Sequence, residues 1–366
     1  MYDGSMILPP SPRLNTKALG RLFQRTTASY KFYWFLSLLD AVVETGKPAV
    51  SADELSVRMV SLAWFPVHFF KLSFGKCDNL GCLVHEVQRT LDLPIKTKET
   101  ELRTILSHRM QEDESFRKSL RQLLRYVPYQ LLSPWTGSSE SASKIIEASA
   151  KFETHGALYA LIRERGNLSI RIHDEWMPYL IENYAVLRDF AFWNLLTFVQ
   201  QRNPHVPNVS AKLVRPDVRN SLSSQKRFWD QAIEAGADVH CIYTGTAMHR
   251  GAYALDHFLP WSFVAHDQLW NLTPSDASIN SSKSDKLPIL DCFLEKLVVQ
   301  QQEAVKAVLK KGREPEILDD FLSIGLTPAE IVESEFSVLM NRYIDAFEPL
   351  ERIAINTGFE VWQFKG

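Results

Sequence analysis

The stretch Leu255-Asp256-His257-Phe258-Leu259-Pro260-Trp261 places the tightest local constraint on this 366-residue chain. Successive side chains of a β-strand point to opposite faces, so Asp256 and His257 cannot share one cleft while the strand runs on flat. They can share it where the strand ends, and Pro260, which has no N–H to give to a ladder, ends it there. Asn271, Asn280 and Lys283 follow, at successive intervals of 14, 9 and 3 residues from His257.

Most of the remaining sequence reads as helix. Ser29 to Glu44, SYKFYWFLSLLDAVVE, is apolar on nearly every side and stops at Gly46, as a buried helix does. Its aromatic run from Tyr30 to Phe35 resembles a base-stacking platform, but helical spacing assigns it to the core. Ser51-Ala52-Asp53-Glu54 has capping-box spacing, and so has Thr327-Pro328-Ala329-Glu330. Gly156–Tyr159 and Leu168–Ile172 read as short strands or as helix ends. Asp238–Tyr243 and Ala252–Phe258 read as two further strands around a turn at Thr244-Gly245, followed by a helix from about Pro274 that carries Asn280 and Lys283. The expected fold class is α+β, mostly α-helical, with a small ββα unit embedded between helical regions. Its expected divisions are a helical domain 1–201, a basic connector 202–227, the ββα unit 228–290 and a helical region 291–366.

With 45% hydrophobic residues the chain supports real cores. A net charge of -2 gives no global attraction to a polyanion, so nucleic-acid contact has to rest on a local patch. Lys212, Arg215, Arg219, Lys226 and Arg227 in the connector are candidates for that patch, with Arg250 in the turn between the two strands. Four scattered cysteines make no disulfide framework, and no apolar run is long enough to cross a membrane, so a cytoplasmic location is expected. His68, Cys77, Cys82 and His85 are the other metal-like group, but their intervals fit no common zinc pattern.

The Asp-His stretch suits phosphodiester hydrolysis. A histidine titrates near neutral pH and can take a proton from water, which makes His257 the candidate general base. Asp256 offers hard oxygen ligands for Mg²⁺ or Mn²⁺, and the Asn280 carbonyl could add another. Asn271 is placed to hold the histidine loop, and Lys283, one helical turn beyond Asn280, to meet a phosphate.

These residues resemble the HNH nuclease family, over about a seventh of the chain. Their intervals, with the ending Asn280-Ser-Ser-Lys283-Ser-Asp285-Lys-Leu-Pro288, are most similar to the HNH domain of RNA-guided CRISPR effector nucleases. The resemblance implies a ββα-metal fold, with His257 as general base, Asp256 and Asn280 as metal ligands and Asn271 as the structural asparagine. Many family members brace this unit with zinc held by paired CxxC motifs. Here no CxxC occurs, so no structural zinc is expected, and packing of Tyr243, Phe258, Trp261, Phe263 and Trp270 against flanking helices has to replace it.

The expected function is a metal-dependent DNA endonuclease that nicks at a single site and serves in bacterial defence against phage or plasmids. It would act alone or as the nuclease subunit of a larger protein or RNA–protein complex, on duplex or unwound DNA. The alternative is a non-cleaving DNA-binding or scaffold protein that uses the same fold for recognition. Oligomeric state is not legible in the sequence.

Overall fold

A computed structural model describes residues 7–137, 141–214, 221–313 and 315–364. The chain is mostly helical, with two small antiparallel sheets among the described residues. It divides into two compact units, Met1–Pro204 with Lys212–Arg215, and His205–Ala211 with Pro216–Gly366. Among the described residues no helix is long and apolar enough to cross a membrane.

In the first unit the aromatic run is core. Phe32, Tyr33, Trp34 and Phe35 of α1 (Tyr30–Thr45) are each at most 1% exposed. The Trp34 indole N–H donates to the Tyr159 hydroxyl at 3.1 Å, which donates in turn to the Pro128 carbonyl at 2.7 Å, so the polar tips of two buried rings are satisfied. Ser51 caps α2 (Ala52–His68) by accepting from Asp53 N, but Glu54 pairs with Arg58 rather than returning to the cap. The three-stranded sheet runs β1 (Ala49–Ser51), β3 (Asn167–Ile172), β2 (Tyr159–Glu164). Arg165 and Gly166, both at positive φ, make the tight two-residue turn that joins β2 to β3. His68 lies edge-on to His85 and bonds the Val84 carbonyl, whereas Cys77 and Cys82 are exposed.

In the second unit β4 (Ala254–His257) pairs antiparallel with β5 (Leu272–Ser275), with Asp256 opposite Thr273 and His257 opposite Leu272. This corrects the expected order. Asp238–Tyr243 is not a strand but folds back on itself, with Cys241 N donating to Thr246 O and Gly245 N to Cys241 O, each at 2.8 Å. A single bridge, His240 to Ala247, is all the β-pairing it makes. The partner of β4 comes instead from the segment just after Asn271, where Pro274 is tolerated because both strands of a two-stranded sheet are edges. Helix α4 (Ala277–Lys283) therefore starts at Ala277, later than the sequence suggests.

The small sheet does not stand alone. One core joins it to α3 (Ser223–Glu234), α5 (Leu290–Lys310) and α6 (Phe336–Asn356). Tyr243 meets Phe293 and Trp362 edge-on, Phe258 and Trp270 both meet Phe347, and Phe263 meets Phe359, all with centroids within 5.6 Å. Three consecutive glutamines of α5 add polar ties. Gln300 bonds His240 N and Thr273 Oγ1, Gln301 Nε2 donates to the carbonyls of Leu269, Trp270 and Leu272, and Gln302 reaches Ile331 O. Buried backbone groups around a two-stranded sheet lack further strands to pair with, and these side chains satisfy them.

Candidate active site

β4 ends at His257, as Pro260 requires, but the two side chains part there instead of sharing one cleft. Asp256 turns inward and is 2% exposed. His257 keeps a small opening to solvent, its side chain 12% exposed, and its Nε2 lies 2.8 Å from Asp267 Oδ1. An ionised carboxylate only accepts, so Nε2 is the donor in this pair. The chain brings Asp267 back to the histidine through the short helix Trp261–Val264 and a left-handed residue, Ala265, at φ 53. Asn208 bonds the Ala265 carbonyl at 2.6 Å and secures this reversal.

Asn271 is completely buried and clamps the loop after His257. Its Oδ1 accepts from Leu259 N at 2.8 Å and its Nδ2 donates to Leu259 O at 2.9 Å, while its own carbonyl accepts from Phe258 N. A side-chain amide presents a donor and an acceptor side by side, which is what an unpaired peptide unit needs.

Asp256 and Lys283 form a closed pair. Lys283, expected to face a phosphate, is instead completely buried, with Nζ 3.0 Å from each Asp256 oxygen and 2.6 Å from His257 O. The Tyr243 hydroxyl donates to Asp256 Oδ2 at 2.6 Å. Burial lowers the Lys283 pKa against the opposing pull of Asp256, and burial together with the Asp256 charge pushes Tyr243 well up. Asn280 is half-buried, and its Nδ2 makes a long 3.4 Å contact with Leu255 O.

This arrangement does not fit a divalent cation on Asp256. Its carboxylate is out of solvent with both oxygens engaged, and a buried ammonium already balances its charge. Among the described residues no cluster of three His, Cys, Asp or Glu is arranged to hold a metal.

The expected nucleic-acid contacts separate in the same way. Lys212 is buried, and desolvation brings its pKa down to about 7, so it presents no ammonium at the surface. Arg250 is ion-paired to Glu234 at 2.5 Å. Arg215 and Arg219 lie outside the described residues. Lys226 and Arg227 are exposed on α3 and form no ion pair with any described residue.

Sequence reasoning missed Asp267 and the α5 glutamines as supports of the site, and it named Tyr243 for packing but not for its hydrogen bond to Asp256. Asp267 had a usable signal, as an acid in the loop that has to return from His257 to Asn271. The whole chain matches no curated protein and no solved structure. Residues 241–289, the segment that carries Tyr243, Asp256, His257, Asp267, Asn271, Asn280 and Lys283, match the family model described as HNH endonuclease, so it is at the level of this one domain that the chain is similar to that family.

Proposed function

We propose that the chain is a DNA endonuclease whose single HNH site hydrolyses one phosphodiester bond per event. The observation that supports this reading most is His257 at the end of β4, oriented by Asp267 and held by the Asn271 clamp. His257 Nδ1 takes a proton from water, the water oxygen bonds to phosphorus, and the P–O3′ bond breaks with the 3′ oxygen protonated from solvent. Asp267 stabilises the imidazolium that forms.

The reading extends to defence against phage or plasmids. An ungated nuclease damages its own cell, and the helical remainder exceeds what the chemistry requires. The chain would serve alone or as a subunit of a larger complex, RNA-guided complexes included. Incubation of the purified chain with labelled DNA and RNA strands, with Mg²⁺ or Mn²⁺ supplied, tests the activity. Cleavage of DNA to 3′-hydroxyl ends is the expected result, and intact DNA beside cleaved RNA overturns the substrate assignment.

A second reading is favoured by one observation, the buried Lys283–Asp256 pair. A carboxylate closed by an ammonium suits a DNA-binding unit that does not cut. DNA binding without cleavage under all metal conditions would select it.

A further inference from the structure

A cleft of about 1010 Å³ opens beside Asp267, at the upper end of the roughly 300–1,000 Å³ typical of ligand sites. We propose that it receives an unpaired nucleobase of the strand being cut, so that the substrate is single-stranded or unwound DNA rather than closed duplex. The inference rests on the endonuclease reading above and names its substrate form.

The lining chemistry supports a base in the interior and a phosphate at one edge. Arg227 is the one Lys or Arg among the described residues of the lining, and it has Lys226 beside it in sequence, both exposed and without ion pairs among the described residues. Asp267, Glu316 and Asp320 also line the cleft. Carboxylates repel a phosphate but accept from the amino groups of a base edge. Gln231 adds a neutral amide that can donate and accept. Trp261, half-buried, also lines the cleft, and an aromatic side chain is the type on which proteins hold bases that duplex pairing has released.

Position strengthens the case. Asp267 has one carboxylate oxygen on His257 and lines the cleft, so an occupant adjoins the histidine that would act on the phosphate. Gln225 fixes this junction by donating from Nε2 to Asp267 O at 2.8 Å, and its buried Oε1 has no hydrogen-bond partner among the described residues. Arg227, Gln231, Glu316 and Asp320 lie outside the segment 241–289 that the family model matches, so the cleft is a feature of this chain rather than of the shared domain.

The test uses the full chain carrying His257→Asn, so that strands are bound but not consumed. A short single-stranded oligodeoxynucleotide carries 2-aminopurine at one position at a time, and the same sequence as a closed duplex is the comparison. The expected result is a fluorescence change confined to one or two positions, with single-strand binding tighter than duplex by on the order of tenfold. Both effects should fall in Arg227→Ala combined with Gln231→Ala, which changes one exposed and one half-buried side chain of α3. Trp261→Leu should abolish the position signal, and Gln231→Glu gives an independent reading if that variant does not fold. Equal binding of duplex and single strand with no position signal overturns the proposal, as does a signal that survives the Arg227 and Gln231 changes. If the signal is present but the parent chain never cuts DNA, the base site stands and the endonuclease reading fails.

Discussion

Lys283 Nζ lies 3.0 Å from both carboxylate oxygens of Asp256, with the two side chains 0% and 2% exposed. Burying two charges is costly, and their attraction offsets that cost only when the geometry is good and the remaining lone pairs are satisfied. Here the Tyr243 hydroxyl takes one of those lone pairs. Removing one partner leaves a buried charge alone, so Lys283→Met should cost about 3–5 kcal/mol in chemical denaturation. Lys283→Met combined with Asp256→Asn should recover much of this, because the neutral amide introduced by the second change can still accept from Tyr243. A double variant as unstable as the single one would show that the pair is not the source of the loss.

The same pair governs cation binding. With Lys283 in place the Asp256 oxygens are engaged, and with Lys283→Met they are a buried anion without a counterion. Mn²⁺ binding, followed by electron paramagnetic resonance, should be tighter in Lys283→Met than in the parent by at least about tenfold. Equal or weaker binding would mean that the ammonium does not compete for the carboxylate.

Asn271 satisfies both the N–H and the carbonyl of buried Leu259. Asn271→Ala leaves both unpaired and should destabilise the unit by roughly 2–4 kcal/mol. Asn271→Asp puts a carboxylate against the Leu259 carbonyl in a fully buried site and should be at least as destabilising. Near-parent stability of Asn271→Ala would remove the clamp from the account.

His68 gives the first unit an acid-sensitive point. Burial, with a smaller contribution from His85, holds its pKa down to about 4 from an ordinary 6.5. The unfolded chain binds this proton more readily than the folded one. The stabilisation is therefore complete above pH 6.5 and is lost as pH falls from 6.5 towards 4. The urea midpoint of the parent should drop across this window, and the drop should shrink in His68→Gln. Identical pH profiles would assign the acid sensitivity elsewhere.

The helical class, the buried aromatic run and the strand ending at His257 were legible because each depends on local pattern: periodicity, a stop at Gly46, a proline without an N–H. The Asn271 clamp was legible for the same reason, since it acts on its own loop. The partner strand of β4 was misplaced because Asp238–Tyr243 has strand composition, and only the fold-back at Cys241–Gly245 and the core contacts of Tyr243 override it. Lys283 one turn beyond Asn280 was read correctly as a helix position but not as a buried one. Spacing along a helix fixes neighbours on its face and says nothing of what the face meets. The Gln300–Gln302 row, 27 to 60 residues from most of the groups it bonds, carried no local signal at all.

Asp267 tests the orientation of the histidine. Asp267→Asn keeps the shape of the side chain but no longer favours the imidazolium, and it should lower DNA cleavage by roughly 10²–10⁴-fold with strand binding retained. An unchanged rate would reduce the 2.8 Å contact to a structural one.

The most direct measurement of the central claim is the single-turnover rate at which the parent chain and His257→Ala cut the same labelled DNA strand, with folding of both confirmed. The account predicts cutting by the parent and, for His257→Ala, a loss of at least about 10²-fold. Equal rates from the two chains would contradict it.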